Sequence, residues 1–194
     1  MSIKASEATI EIFWNEIESH YTGKHRHYHT LSHLENMLRE LKEVQSDITD
    51  WPVILFSLYY HDIIYDVRKQ DNEQKSADIA EQRMRTLGIP KKKIEKCREQ
   101  IIATRSHKLS EDSDTNYFLD ADLSVLGSPR EEYEKYCHDI RKEFRLYPDI
   151  LYKRGREKVI RKLISMDRIY KTSHFYGKYE VQARENLHWE LKNL

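Results

Sequence analysis

Glycine and proline are scarce in this chain, with 5 and 4 among 194 residues. Glycine loosens regular structure and proline removes a backbone donor, so their scarcity favours uninterrupted helices. Cysteine is scarcer still. Cys97 and Cys137 are the two present, and they make neither a CxxC pair nor a disulfide framework. A reducing, cytoplasmic setting is the expectation. No excess of either charge exists, because 33 Lys plus Arg balance 33 Asp plus Glu. That excludes a global pull toward nucleic acid or an acidic membrane surface, and neither partner is expected. No apolar run reaches membrane-spanning length, and the start, MSIKASEATIEIFW, has no apolar signal-peptide core.

What the chain does have is charge and helical periodicity. Charged residues make up 34% of it, the composition of helices with solvated outer faces. Ile10, Phe13, Trp14, Ile17 and Tyr21 form one stripe, which predicts a first helix over about 6–22. After the basic stretch GKHRHYHT, Ser32 and Glu35 have capping-box spacing, and a second helix runs to about Gln45. Asp50 and Pro52 open a third, about 51–62, which is apolar nearly all round and should be central. Asp71 caps a fourth that Gly88 stops, and Pro90 starts a fifth ending near Thr104. A polar loop over 105–116 leads to a short helix closed by Gly127. Helices over about 129–145, 149–170 and 178–192 follow. No strand-period segment, repeat or linker divides the chain. The expectation is one all-α domain over 1–194, a single compact helical bundle.

Four positions then stand out. His33 lies at the start of the second helix, His61 and Asp62 close the apolar third, and Asp122 sits in FLDADLSVLG between apolar neighbours. A carboxylate and an imidazole at the end of a buried segment need partners. Two imidazoles and two carboxylates suit a divalent first-row metal. Adjacent helical residues point about 100° apart, so His61 and Asp62 share an ion only if it lies near the helix surface between them, and the remaining ligands must come from other helices. The local alternatives remain open at this point. His29 competes with His33, Asp120 competes with Asp122, and His61-Asp62 can be a capping pair.

The order H…HD…D, together with RHYHTLSHLENML, YYHDIIYD, DNEQKSA, ATRSH, FLDADLSVLG, GREKVI, RIYKTSHF and ARENL, resembles the HD-domain superfamily of metal-dependent phosphohydrolases. The resemblance spans roughly residues 14–191. It implies an HD-type helical bundle in which His33, His61, Asp62 and Asp122 hold one divalent ion (Mn, Mg, Fe, Co, Ni or Zn). It further implies hydrolysis of a phosphomonoester or phosphodiester by metal-activated water, with a nucleotide among the candidate substrates. Members with two metals use extra histidines between HD and the last Asp, and only His107 lies there. That count argues for one ion, and against the iron-dependent oxygenase chemistry that uses two. A non-catalytic metal- or nucleotide-binding module is the competing reading.

Around these ligands the sequence offers supporting candidates. Asp62 would double as a catalytic residue. Asp66 follows it by four and returns to the same side if the helix continues; otherwise it is a turn residue. Glu73 is a candidate general base, or an ordinary solvated glutamate. Arg26, His29, Arg105 and His107 are candidate phosphate-binding residues, since a phosphate beside a cation needs such donors; a merely basic loop is the alternative for the last two. PKKKIEK at 90–96 reads as a solvated helix start.

The four-residue set predicts about one divalent ion per chain. Elemental analysis should find it lost or strongly weakened in His61→Ala, Asp62→Ala and Asp122→Ala. Equal metal in wild type and all three variants would remove the assignment.

Overall fold

The structure, a computed structural model, describes residues 6–194. Among these residues every regular element is helical. In chain order they are α1 (Glu7–Tyr21), α2 (Leu31–Glu43), α3 (Trp51–Tyr60), α4 (Asn72–Thr86), α5 (Lys91–Ala103), α6 (Ser113–Asp122), α7 (Arg130–Glu143), α8 (Asp149–Ile164) and α9 (Ser173–Asn193). Short 3-10 turns occupy Gln45–Asp47 and Ser124–Gly127. No helix among the described residues is long and apolar enough to cross a membrane.

α3 is the hub. It packs against α2, α4, α5 and α6, while α4 pairs with α5 and α9 covers the 124–127 turn, α6 and α8. Val53, Ile54 and Leu58 of α3 are buried with Phe118 of α6, Met37 and Leu41 of α2 and Ile101 of α5. A helix apolar on all faces has no solvent face to offer, so it fills the centre and the amphipathic helices close around it. Only part of α1 joins this core. Ile17 and Tyr21 are buried, but Ile10 and Trp14, which the periodicity places on the same stripe, are exposed.

The helix starts show why several boundaries differ from expectation. α1 and α6 are capped locally, by Ser6 and Asp112. Asp112 thereby starts α6 at Ser113, where the polar composition suggests loop to 116. α2 starts at Leu31 with Thr30 as N-cap, so Ser32 is already inside the first turn and makes no capping box. Asp50 stands at the N-cap of α3 without a capping bond; its carboxylate pairs with Lys93 at 2.9 Å. Asp71 likewise precedes α4 without a side-chain cap and pairs with Lys75. Gly88 ends α4 in the left-handed region, φ +67°.

Where local caps are missing, buried carboxylates from elsewhere take over. Asp114 of α6 accepts from the amides of Thr49 (2.8 Å) and Asp50 (2.9 Å) ahead of α3. Asp120 accepts from Lys171 (2.9 Å) and Thr172 (2.8 Å) ahead of α9. Glu180 reaches back from α9 to the amides of Ile169 (3.0 Å) and Tyr170 (3.1 Å). These last two carboxylates hold residues 169–172 out of helix. α8 therefore stops at Ile164 rather than 170, and α9 starts at Ser173 rather than 178.

Gly127 lies where the 124–127 turn meets α9. A Cβ there would stand 2.6 Å from Tyr179 Cβ, an atom that cannot swing away. Gly127→Ala should destabilise the fold by about 1–3 kcal/mol, the usual effect of overpacking. Denaturant melts check this, and an unchanged midpoint would mean that α9 is not held against the turn.

Candidate metal centre

His33 occupies the first turn of α2, and its side chain is 2% exposed. α3 ends at Tyr60, and His61 follows as its C-cap with backbone still in the right-handed helical region. The His61 ring is fully buried. Its Nδ1 lies 2.8 Å from the Leu58 carbonyl. A carbonyl only accepts, so Nδ1 carries a hydrogen and Nε2 faces the centre. There Nε2 meets His33 Nε2 at 3.3 Å and an Asp62 oxygen at 3.1 Å. Asp122, the last residue of α6, places Oδ1 3.2 Å from His33 Nε2 and 3.8 Å from His61 Nε2.

These residues fit a cation. The donor atoms of His33, His61 and Asp62 all lie within 4.8 Å of one another, so this group can hold a metal ion. Ligand bonds of about 2.1 Å set neighbouring donors roughly 3 Å apart, which is the spacing of the pairs above. Asp122 touches both imidazoles and borders the same centre. The imidazoles form the sealed floor, while Asp62 and Asp122 retain 17% and 15% side-chain exposure at the open side.

Backbone around the centre is tied down by two residues. Arg26 donates to the carbonyls of Asp62 (2.6 Å), Ile63 (3.1 Å) and His29 (3.1 Å). Its guanidinium lies over the Tyr21 ring, 4.6 Å from the centroid. The fork that its place beside the presumed metal site marks as a phosphate donor thus grips the chain at the HD pair. Glu143, at the end of α7, escapes sequence reasoning. Its Oε1 accepts from the amides of His27 (2.7 Å), Tyr28 (2.8 Å) and His29 (3.0 Å), ahead of α2. Its Oε2 meets His29 Nδ1 at 2.7 Å and accepts from the Tyr65 hydroxyl at 2.9 Å. One signal was there: a carboxylate in the last turn of a helix opposes that helix's dipole.

His29 precedes α2, and its Nε2 lies 3.8 Å from an Asp62 oxygen, so it stands at the rim of the centre. His107 also reaches it, with Nε2 3.5 Å from Asp122 Oδ2. The His107 backbone is left-handed, φ +50°. That is rare for a residue with a Cβ and is held by its surroundings. Its Nδ1 is buried with no hydrogen-bond partner among the described residues.

Other candidates lie elsewhere. Because α3 stops at Tyr60, Asp66 does not return to the side of Asp62; its carboxylate sits in the fork of Arg68 at 2.8 and 2.9 Å. Glu73 lies in the first turn of α4, and no hydrogen bond or ion pair among the described residues links it to the centre. Arg105 is exposed in the turn after α5. Asp120 is committed to the start of α9, which leaves Asp122 at the centre.

The charges shape one another. Burial lowers the His61 pKa, but the Asp62 charge and hydrogen bond outweigh it and push it up to about 9. Burial dominates at His33, whose value falls despite the Asp122 bond. Two imidazoles 3.3 Å apart do not both hold a full charge easily. Burial raises Asp122, yet His33 and His61 bring it down to about 2. Asp62 is held well below the carboxylate range, because His61 overcomes its burial. His107 falls to about 4, because burial outweighs the opposing charge of Asp122. His29 is raised: burial works against it, but the Glu143 bond and the Asp62 charge win.

Compared with models of protein families, with curated proteins and with solved structures, the chain finds no match.

Burial raises Glu143, but its bond to His29 and its amide donors bring it down to about 2 from an ordinary 4.5. A depressed carboxylate contributes stability that is complete above pH 4.5 and lost as the pH falls toward 2. Glu143→Gln should therefore be less stable than wild type by about 2 kcal/mol at neutral pH, the scale of a hydrogen bond to a charged group. The gap should narrow below pH 4.5. Urea melts at pH 7 and pH 3 check this; a pH-independent gap would rule out the charged clamp.

Proposed function

We propose that this chain is a metal-dependent phosphohydrolase of the HD superfamily. It cleaves phosphate esters of a small compound, with nucleotides first among the substrates to test. The convergence of His33 Nε2, His61 Nε2, Asp62 and Asp122 around one point carries the reading. One divalent ion held by these four side chains supplies Lewis acidity toward a phosphoryl oxygen and lowers the pKa of water.

The rest falls to the protein itself. The Leu58 carbonyl fixes the His61 tautomer, so that Nε2 always faces inward. Arg26 holds the peptide carrying Asp62 and the carbonyl of His29 in one frame. Glu143 keeps a proton on His29 by accepting at Nδ1, which leaves Nε2 free at the rim beside Asp62. A protonated imidazole in that place can donate from Nε2 to the oxygen that leaves when the ester breaks. Tyr28, His33 and Tyr136 line a cavity of about 510 Å3 between α2 and α7, which gives a small compound a place beside the centre.

The expected outcome is phosphate release, or diester cleavage, that chelation abolishes and added metal restores. Asp62→Asn should be folded and nearly inactive, since it removes a charged ligand with little change of volume. His29→Gln should keep its metal and lose about 10²-fold or more in kcat, as removal of a general acid does. A broad panel of phosphate esters with several metals checks all three. No turnover above Asp62→Asn would move the lead to a non-catalytic binding module.

A further inference from the structure

We propose that the cavity on the far side of His107 is a second anion subsite, and that the substrate carries a further phosphate held there by Lys108 and Arg168. This rests on the phosphohydrolase reading for its link to turnover, but not for the site itself.

The cavity measures about 590 Å3, and its lining includes His107, Lys108, Ser165, Asp167, Arg168 and Lys171. Three cations there face one carboxylate, in a chain whose formal net charge is zero. Neither of two other cavities has that surplus. The one against His33 is lined by two Lys or Arg and three carboxylates, and the one beside Tyr65 by two and two. A low-dielectric cleft with one sign of charge concentrates ions of the other sign.

Its two outer cations are uncommitted. Lys108 is exposed and has no hydrogen bond or ion pair among the described residues. Arg168 rests on the Tyr176 ring, 4.4 Å from its centroid, with its fork unpaired among the described residues. Lys171 is different. Its ammonium donates to the Ile169 carbonyl at 3.0 Å and lies 3.4 Å from Asp120, so it is a fixed charge in the wall. An Arg fork and a Lys ammonium together match a tetrahedral oxyanion.

His107 connects this cavity to the centre. Its Nε2 faces Asp122 at 3.5 Å, while the same residue lines the cavity. Its Nδ1 is buried and unpartnered, and its backbone is held at φ +50°. A buried polar atom without a partner and a strained backbone, both at the wall between cavity and centre, are what a residue shaped for a ligand shows. A substrate with two phosphate groups spans the two places: one phosphate at the centre, the other between Lys108 and Arg168.

Two measurements on the full chain decide it. Inorganic phosphate is titrated into the protein, as purified and after chelation, and followed by phosphorus NMR. Saturable binding that survives chelation is expected, since this subsite needs no metal, with affinity at least ten-fold lower in the exposed pair Lys108→Ala/Arg168→Ala. Binding lost on chelation, or equal in the double variant, overturns the subsite. The second arm compares KM for a bisphosphate and its monophosphate. The wild type should favour the bisphosphate at least ten-fold, and the double variant should lose that preference. If no ester is turned over while the phosphate arm succeeds, the hydrolase reading fails and the anion site stands. If esters are turned over with no such preference and no such binding, the reverse holds.

Discussion

A buried carboxylate must find donors, and in this protein four of them find the amides that precede a helix. Glu143, Asp114, Asp120 and Glu180 are each nearly or fully buried. Each accepts from consecutive backbone N–H groups ahead of α2, α3 or α9. Those amides have no partner within their own helix, and the carboxylate would be costly to bury alone. The two needs cancel. Because three of the carboxylates come from a different helix, each of those bonds also fixes where one helix begins relative to another.

The candidate metal centre inherits its geometry from this. Glu143 holds the start of α2, which carries His33, and at the same time orients His29 and Tyr65. Asp114 holds the start of α3, which ends at His61, and lies two turns before Asp122 on α6. Asp120, on the turn of α6 that ends in Asp122, is anchored to the start of α9. Side chains from three helices therefore meet, with imidazole nitrogens 3.3 Å apart, because the helices that present them share rigid ends. Arg26 adds the last restraint, at the non-helical peptide of Asp62.

His61 is raised and Asp62 and Asp122 are lowered by the same contacts, so a positive charge is favoured between the carboxylates. His33 and His107 stay neutral under burial. Neutral imidazoles and ionised carboxylates are the forms that ligate metal.

The helical class and most helix positions were legible in the residues. Apolar spacing marks α2 and the all-round apolar α3, no segment alternates with strand period, and the low glycine and proline content favours uninterrupted helices. His33, His61, Asp62 and Asp122 stood out in the residues, but local chemistry alone left His29 and Asp120 as rivals; the fold brings the four together and commits Asp120 to the start of α9. Periodicity did not reveal the first turns of α6 and α9: their polar faces look like loop until a distant or local carboxylate caps them. The spacing of Asp66 from Asp62 suggested a shared face, and α3 ended too soon for it. Glu143 left almost no local trace, since its worth lies in amides more than a hundred residues away in sequence. Arg26 read as a phosphate donor and became a clamp on carbonyls. Local chemistry determined which residues needed partners; only the tertiary structure decided which partners they met, because hydrogen bonds and charge pairs between distant segments have no period along the chain.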